Sequence, residues 1–143
     1  MRAFVRLLGI VSVLAVFAAG PAVAQTSDAD QAAIRQVIQS QMAAFEKDDG
    51  PTAYGYASPT IQQKFGNADI FMQMVKTGYP AVYRPHDVEF RALKTENGRL
   101  LQEVFVVGPD GKPALAIYEM QRQPDGSWRI NGCWLTSVPD QSV

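Results

Sequence analysis

The 143-residue chain contains one cysteine and one histidine. A single cysteine excludes a disulfide within the chain, and one histidine beside it leaves too few ligands for a Cys/His zinc site. Charge is scarce and balanced: 13 Lys+Arg stand against 14 Asp+Glu, a net of −1, so no basic surplus exists to hold a nucleic acid. No glycine-rich phosphate loop, zinc-protease helix, nucleophile elbow or calcium loop occurs, and no metal or cofactor is expected. What the chain does have is 47% hydrophobic and 19% charged residues, the composition of one globular domain with a sizeable core.

The longest apolar stretch reads as an address rather than as structure. Arg2 and Arg6 precede the uncharged run Leu7–Ala19, and Gly20-Pro21 and the small-x-small triplet Ala22-Val23-Ala24 follow. That is the layout of a cleaved signal peptide over residues 1–24, and the run is shorter than the roughly 20 residues a spanning helix needs. The expected product is residues 25–143, a single domain with its core in about 30–137. It is expected to be periplasmic or secreted, without stable membrane insertion. Losing Arg2 and Arg6 takes the net charge from −1 to −3. Cys133, alone in an oxidising compartment, is expected to be buried within a strand.

Periodicity divides the remainder into helices and then strands. Ile34, Val37, Ile38, Met42 and Phe45 recur at helical spacing over Asp30–Lys47, with Asp28 and Asp30 as candidate caps. Asp48-Asp49-Gly50-Pro51 ends that helix and starts a short one over Thr52–Ala57. Ser58-Pro59 starts another, ending at Gly66, and Asn67 caps a fourth that stops at Gly78. Tyr79 to Pro85 is expected to be non-helical, because each proline holds its predecessor extended. Four strands are then expected at His86–Thr95, Arg99–Val107, Pro113–Gln123 and Trp128–Ser137. Asn97-Gly98 and two Pro-Asp-Gly triplets link them as successive hairpins. The result is an α+β domain with N-terminal helices packed on a curved four-stranded antiparallel sheet.

Counting outward from these turns gives a register. Phe90 is expected opposite Phe105, Glu103 opposite Ile117, and Glu119 opposite Asn131. One face then carries Val88, Phe90, Leu101, Phe105, Ile117, Cys133 and Leu135 and is assigned to the helices. The other carries Leu100, Val104, Val106, Tyr118, Met120, Ile130 and Trp134. Monomers rarely expose an apolar patch that large, so a homodimer through this sheet face is expected.

The run Ile34 to Gln39, with Ala44-Phe45 and Asp48-Asp49, resembles the first helix of the nuclear-transport-factor-2-like superfamily. Tyr56-Ala57-Ser58-Pro59, Gln63-Lys64-Phe65-Gly66, Gly78 to Pro85, Gln102-Glu103-Val104 and Gln121 to Cys133 are similar to the uncharacterised bacterial family called domain of unknown function 4864. The resemblance covers residues 32–135. It implies a cone of helices over a curved sheet, often enclosing a pocket and often dimeric, and it implies no activity.

The candidate site residues follow from the register. Glu103, Glu119 and Asn131 would share the helix-covered face. Two carboxylates a cross-strand diagonal apart in a partly dry cone would have their pKa values driven apart, as an acid–base pair requires. His86 is the one imidazole, at the start of a strand. Tyr83 and Arg84, with Tyr54, Tyr56, Phe65 and Tyr79, would rim a pocket for a small apolar or aromatic ligand. The leading expectation is a non-catalytic module that binds a ligand or a protein. The alternatives are a metal-independent isomerase, dehydratase or hydrolase using a pocket carboxylate, and a structural subunit of an envelope complex.

Overall fold

The structure, a computed structural model, describes residues 26–138; the signal peptide expected over residues 1–24 lies outside them. Helix α1 (Asp28–Glu46) starts two residues earlier than the expected Asp30, because the Ser27 hydroxyl, rather than Asp28 or Asp30, accepts the Asp30 amide and acts as the cap. Its buried face carries Ile34, Ile38, Met42 and Phe45. Helix α2 (Gly50–Gly55) is capped by Asp49 and has Pro51 in its first turn, where no amide is missed. Helix α3 (Pro59–Phe65) is capped by Ser58 and buries none of its own residues. Helix α4 (Ala68–Gly78) is capped by Asn67 and buries Phe71, Met72 and Val75.

The segment Tyr79 to Pro85 corrects the expectation of unbroken extended chain. Pro80–Tyr83 form one helical turn, α5. Tyr79 and Arg84, the residues before the two prolines, are extended as the proline rule demands, with φ of −133° and −139°. Pro80 itself is suited to a first helical position, so a single turn fits between them.

Strands β1 (Asp87–Glu96), β2 (Arg99–Val107), β3 (Pro113–Arg122) and β4 (Trp128–Thr136) form one antiparallel meander in that order. Asn97 and Gly98 both take positive φ, 51° and 74°, as a two-residue hairpin turn of type I′ requires. Gly111 and Gly126 take the left-handed position of the two Pro-Asp-Gly turns.

The register between β2 and β3 is the expected one, with Glu103 opposite Ile117. Both outer strands depart from it through one extra residue. In β1 a bulge at Arg91-Ala92 brings Phe90 opposite Val104 rather than Phe105. The buried Gln102 side chain fills the irregularity, donating to the carbonyls of Arg91 and Glu103 at 3.0 and 2.9 Å. In β4 the register slips at Asn131, so Glu119 faces Gly132 and Tyr118 faces Cys133. Each bulge reverses which side the rest of its strand presents.

The helix-covered face is therefore the opposite of the expected one over β2 and β3. Val104, Val106, Ala116, Tyr118, Met120 and Ile130 are buried in the core with Ile34, Ile38 and Phe45. Beyond the bulges, Val88, Phe90, Cys133 and Leu135 join them on the helix side as expected. Leu101, Phe105, Leu115, Ile117 and Trp134 lie on the outer face. The cause is that β2 and β3 are apolar on both sides, so alternation alone does not say which side the helices take.

One irregular segment locks helices to sheet. Ala57 forms a parallel bridge with Ile130, through Ser58 N–H to the Ile130 carbonyl at 2.8 Å and Ile130 N–H to Tyr56 at 2.9 Å. The fully buried Ser58 hydroxyl accepts the Ile61 amide and donates to the Asn131 side-chain oxygen at 2.7 Å. The β4 bulge thus turns Asn131 toward the cap of α3. Ser58→Ala removes a cap and strands a half-buried Asn131 oxygen, so a loss of about 1–2 kcal/mol is expected. A fall in the urea midpoint that gives this loss when multiplied by an unchanged slope checks it.

Candidate functional site

Between the helices and the sheet lies an open cavity of about 400 Å³. Phe45 of α1, Phe71 and Val75 of α4 and Ile130 of β4 supply apolar walls. Phe71 organises them: its ring lies 6.1 Å from Phe45, 5.5 Å from Tyr54 and 5.7 Å from Phe65, the last edge-on. Buried Gln41 lines the cavity too, its amide fixed by donation to the Ala53 carbonyl at 3.1 Å.

The sheet side of the cavity holds a small polar spot made of Tyr118 and its cross-strand neighbour Cys133, with Tyr79 also in the lining. Tyr118 is fully buried, and among the described residues its hydroxyl has no hydrogen-bond partner of good geometry. Burial pushes the Tyr118 phenol well above its usual range, with the Cys133 thiol beside it adding to the effect. Tyr79 is raised by the same two causes, burial first. Burial pushes the Cys133 thiol up to about 12, against a smaller lowering by Tyr118. The surface that Cys133 still exposes belongs to the cavity wall. All three groups are held neutral at ordinary pH.

The six expected site residues are elsewhere. Glu103 and Glu119 do share a face as diagonal neighbours, but it is the outer one, because the helices cover the side of β2 and β3 that carries Val104, Val106, Tyr118 and Met120. Each has its own cation: Lys94 bridges to Glu103, and Arg99 donates to Glu119 at 3.0 Å. Asn131 is separated from both and bound to Ser58. Tyr83 and Arg84 anchor α5 to the end of α1. The Tyr83 hydroxyl and the Arg84 guanidinium both donate to Asp48, and Arg84 also reaches the Phe45 carbonyl. Asp48 is held below the usual carboxylate range, first by the Tyr83 hydroxyl and then by Arg84 and Lys76. His86 is exposed, its backbone amide paired to Val107 at the sheet margin. The pocket expected to be rimmed by aromatics is lined by Phe65 and Tyr79 of that group.

Tyr118 was missed as a site residue because β2 and β3 are apolar on both sides and its side was assigned away from the helices, whereas Cys133 was placed on the helix side but read only as a buried strand residue. A signal was nevertheless present: Gln102 in an otherwise apolar strand interior marks a place where backbone groups need a partner. The arrangement can bind an apolar molecule. The lining holds no carboxylate or imidazole among the described residues, so the acid–base pair foreseen from Glu103 and Glu119 has no place in this cavity.

The raised thiol fixes the sign of a pH effect. An unfolded cysteine ionises near 8.5, so the contribution of the protonated Cys133 to stability is complete below that pH and is lost as pH rises toward about 12. The urea midpoint is expected to fall above about pH 8.5 and to fall less steeply in Cys133→Ala. Iodoacetamide at pH 8 is expected to modify Cys133 much more slowly in native than in unfolded protein. Equal rates for native and unfolded protein would contradict the burial of this thiol.

Comparison with known proteins adds a family and a distant likeness. No curated protein matches the chain. It is similar to an NTF-2-like protein of unknown function from Burkholderia xenovorans LB400, known from a crystal structure at 1.85 Å. Identity is 14%, the match covers 77% of this chain and 88% of that one, and the TM-score is 0.45. The family described as Domain of unknown function (DUF4864) matches residues 27–143, a span that takes in every helix and strand described above, and the chain belongs to that family.

Proposed function

We propose that this protein is an exported, non-catalytic binding module that holds a small apolar or aromatic molecule in the cavity beneath its helices. One observation carries the proposal: an open cavity of about 400 Å³ with mostly apolar walls. A space of that size is within the range of small-molecule sites. The polar groups on its sheet side are neutral, which suits recognition of an uncharged ligand body. Export rests on the sequence of residues 1–24 alone.

The uncharged fluorescent dye N-phenyl-1-naphthylamine, added to the product that begins at Gln25, is expected to bind once per chain with enhanced emission. Met74, half-buried in the cavity lining, offers a way to fill the space. Met74→Trp is expected to reduce dye affinity at least tenfold while the cooperative unfolding transition remains. Unchanged affinity in Met74→Trp, or no binding to the parent protein, would contradict the proposal.

A homodimer through the sheet remains part of the proposal, with the interface moved to the face that the helices leave open. Leu115 is half-buried there with no helix over it, while Leu101 and Ile117 are already buried within the single chain, 6% and 8% exposed. Phe105 and Trp134 extend the apolar surface, with Arg91 over the Phe105 ring at 4.4 Å and Arg99 over Trp134 at 5.4 Å. The flanking Lys94–Glu103 and Arg99–Glu119 pairs supply both signs of charge, as a self-complementary surface needs. Sedimentation is expected to show a dimer that Phe105→Glu converts to a folded monomer. A parent protein that is monomeric at 100 µM or so would contradict this assignment.

A further inference from the structure

The cavity also points to the kind of molecule it takes, an inference that rests on the binding reading of that cavity. Lys64 is the one charged residue among those lining it. The residue is exposed while Tyr118 on the sheet side is fully buried, so Lys64 stands at the opening and Tyr118 at the far wall. Lys64 forms no ion pair among the described residues; its ammonium lies 5.8 Å from the centre of the Phe65 ring, itself part of the wall. An unpaired cation therefore faces the mouth, with no carboxylate in the lining to offset it.

The two ends of the space thus differ in what they accept. Hydrocarbon or an aromatic ring suits the inner walls. A charged group there would lose its hydration with no opposite charge to replace it, a cost of several kcal/mol. At the opening, water remains available and Lys64 favours a negative head. At roughly 30 Å³ per water-sized volume, 400 Å³ has room for about a dozen such volumes. We propose that the ligand is a small amphipathic monoanion, an apolar tail of about eight carbons or one aromatic ring with a single carboxylate, bound tail inward with its head at Lys64.

Isothermal titration with three probes that share one tail tests this: octanoate, octanamide and octylammonium, at low ionic strength. Octanoate is expected to bind about two- to fivefold more tightly than octanamide, the scale of an exposed ion pair. Octylammonium is expected to bind most weakly. Lys64→Gln should abolish the preference for octanoate over octanamide, Lys64→Glu should reverse it in favour of octylammonium, and added salt should reduce it in the parent. Equal affinity of the three probes for the parent, or a preference that survives Lys64→Gln, overturns the head-group assignment and leaves the cavity reading standing. Failure of all three probes, together with the dye, overturns both.

Discussion

Everything in this protein depends on how a sheet with two apolar sides comes to bury one of them under the helices. Over β2 and β3 the choice is between Val104, Val106, Tyr118 and Met120 on one side and Leu101, Phe105, Leu115 and Ile117 on the other. The first set lies in the core with Ile34, Ile38 and Phe45 of α1. Bulges at Arg91-Ala92 and Asn131 then let both outer strands serve that same core. Without the first, Phe90 would leave it; without the second, Cys133 and Leu135 would. Two polar side chains make the bulges tolerable, Gln102 by satisfying exposed carbonyls and Asn131 by pairing with Ser58.

The same choice decides where chemistry can occur. Placing Tyr118 and Cys133 inward gives the cavity a neutral polar spot that stays protonated. Placing Glu103 and Glu119 outward gives the open face two ion pairs around an apolar strip. The molecule therefore presents two surfaces of different character, a recess with hydrocarbon walls and one cation at its opening, and a sheet face with mixed charge. Short helix α3, which buries none of its own residues, carries Lys64 and lies at the opening.

Much of this was legible in the sequence. The caps at Ser58 and Asn67, the three turns, the strand order and the β2–β3 register all follow from local chemistry: side-chain oxygens that accept free amides, and glycines that accept positive φ. Asn97-Gly98 alone fixed the pairing of Glu96 with Arg99. The choice of face was not legible, since runs such as Leu100-Leu101 and Val104 to Val107 offer apolar side chains both ways. Nor were the bulges, which arise from tertiary demands on Gln102 and Asn131 and leave no mark in the turns. The face choice over β2 and β3 put Glu103 and Glu119 on the outer side, and the unseen extra residue in β4 removed Asn131 from its place opposite Glu119. The single turn at Pro80–Tyr83 was hidden for a different reason: the prolines constrain Tyr79 and Arg84, and the four residues between these two suffice for a turn.

The central claim is that the face under the helices, with Tyr118 and Ile130, is the one that meets a ligand. Methyl and aromatic resonances followed by NMR during titration with octanamide test it most directly. Shifts are expected at Ile61, Val75, Ile130 and the Tyr118 ring, with Leu101, Leu115 and Ile117 unmoved. Shifts centred on Leu101, Leu115 and Ile117, with Ile130 and Tyr118 unmoved, would contradict it.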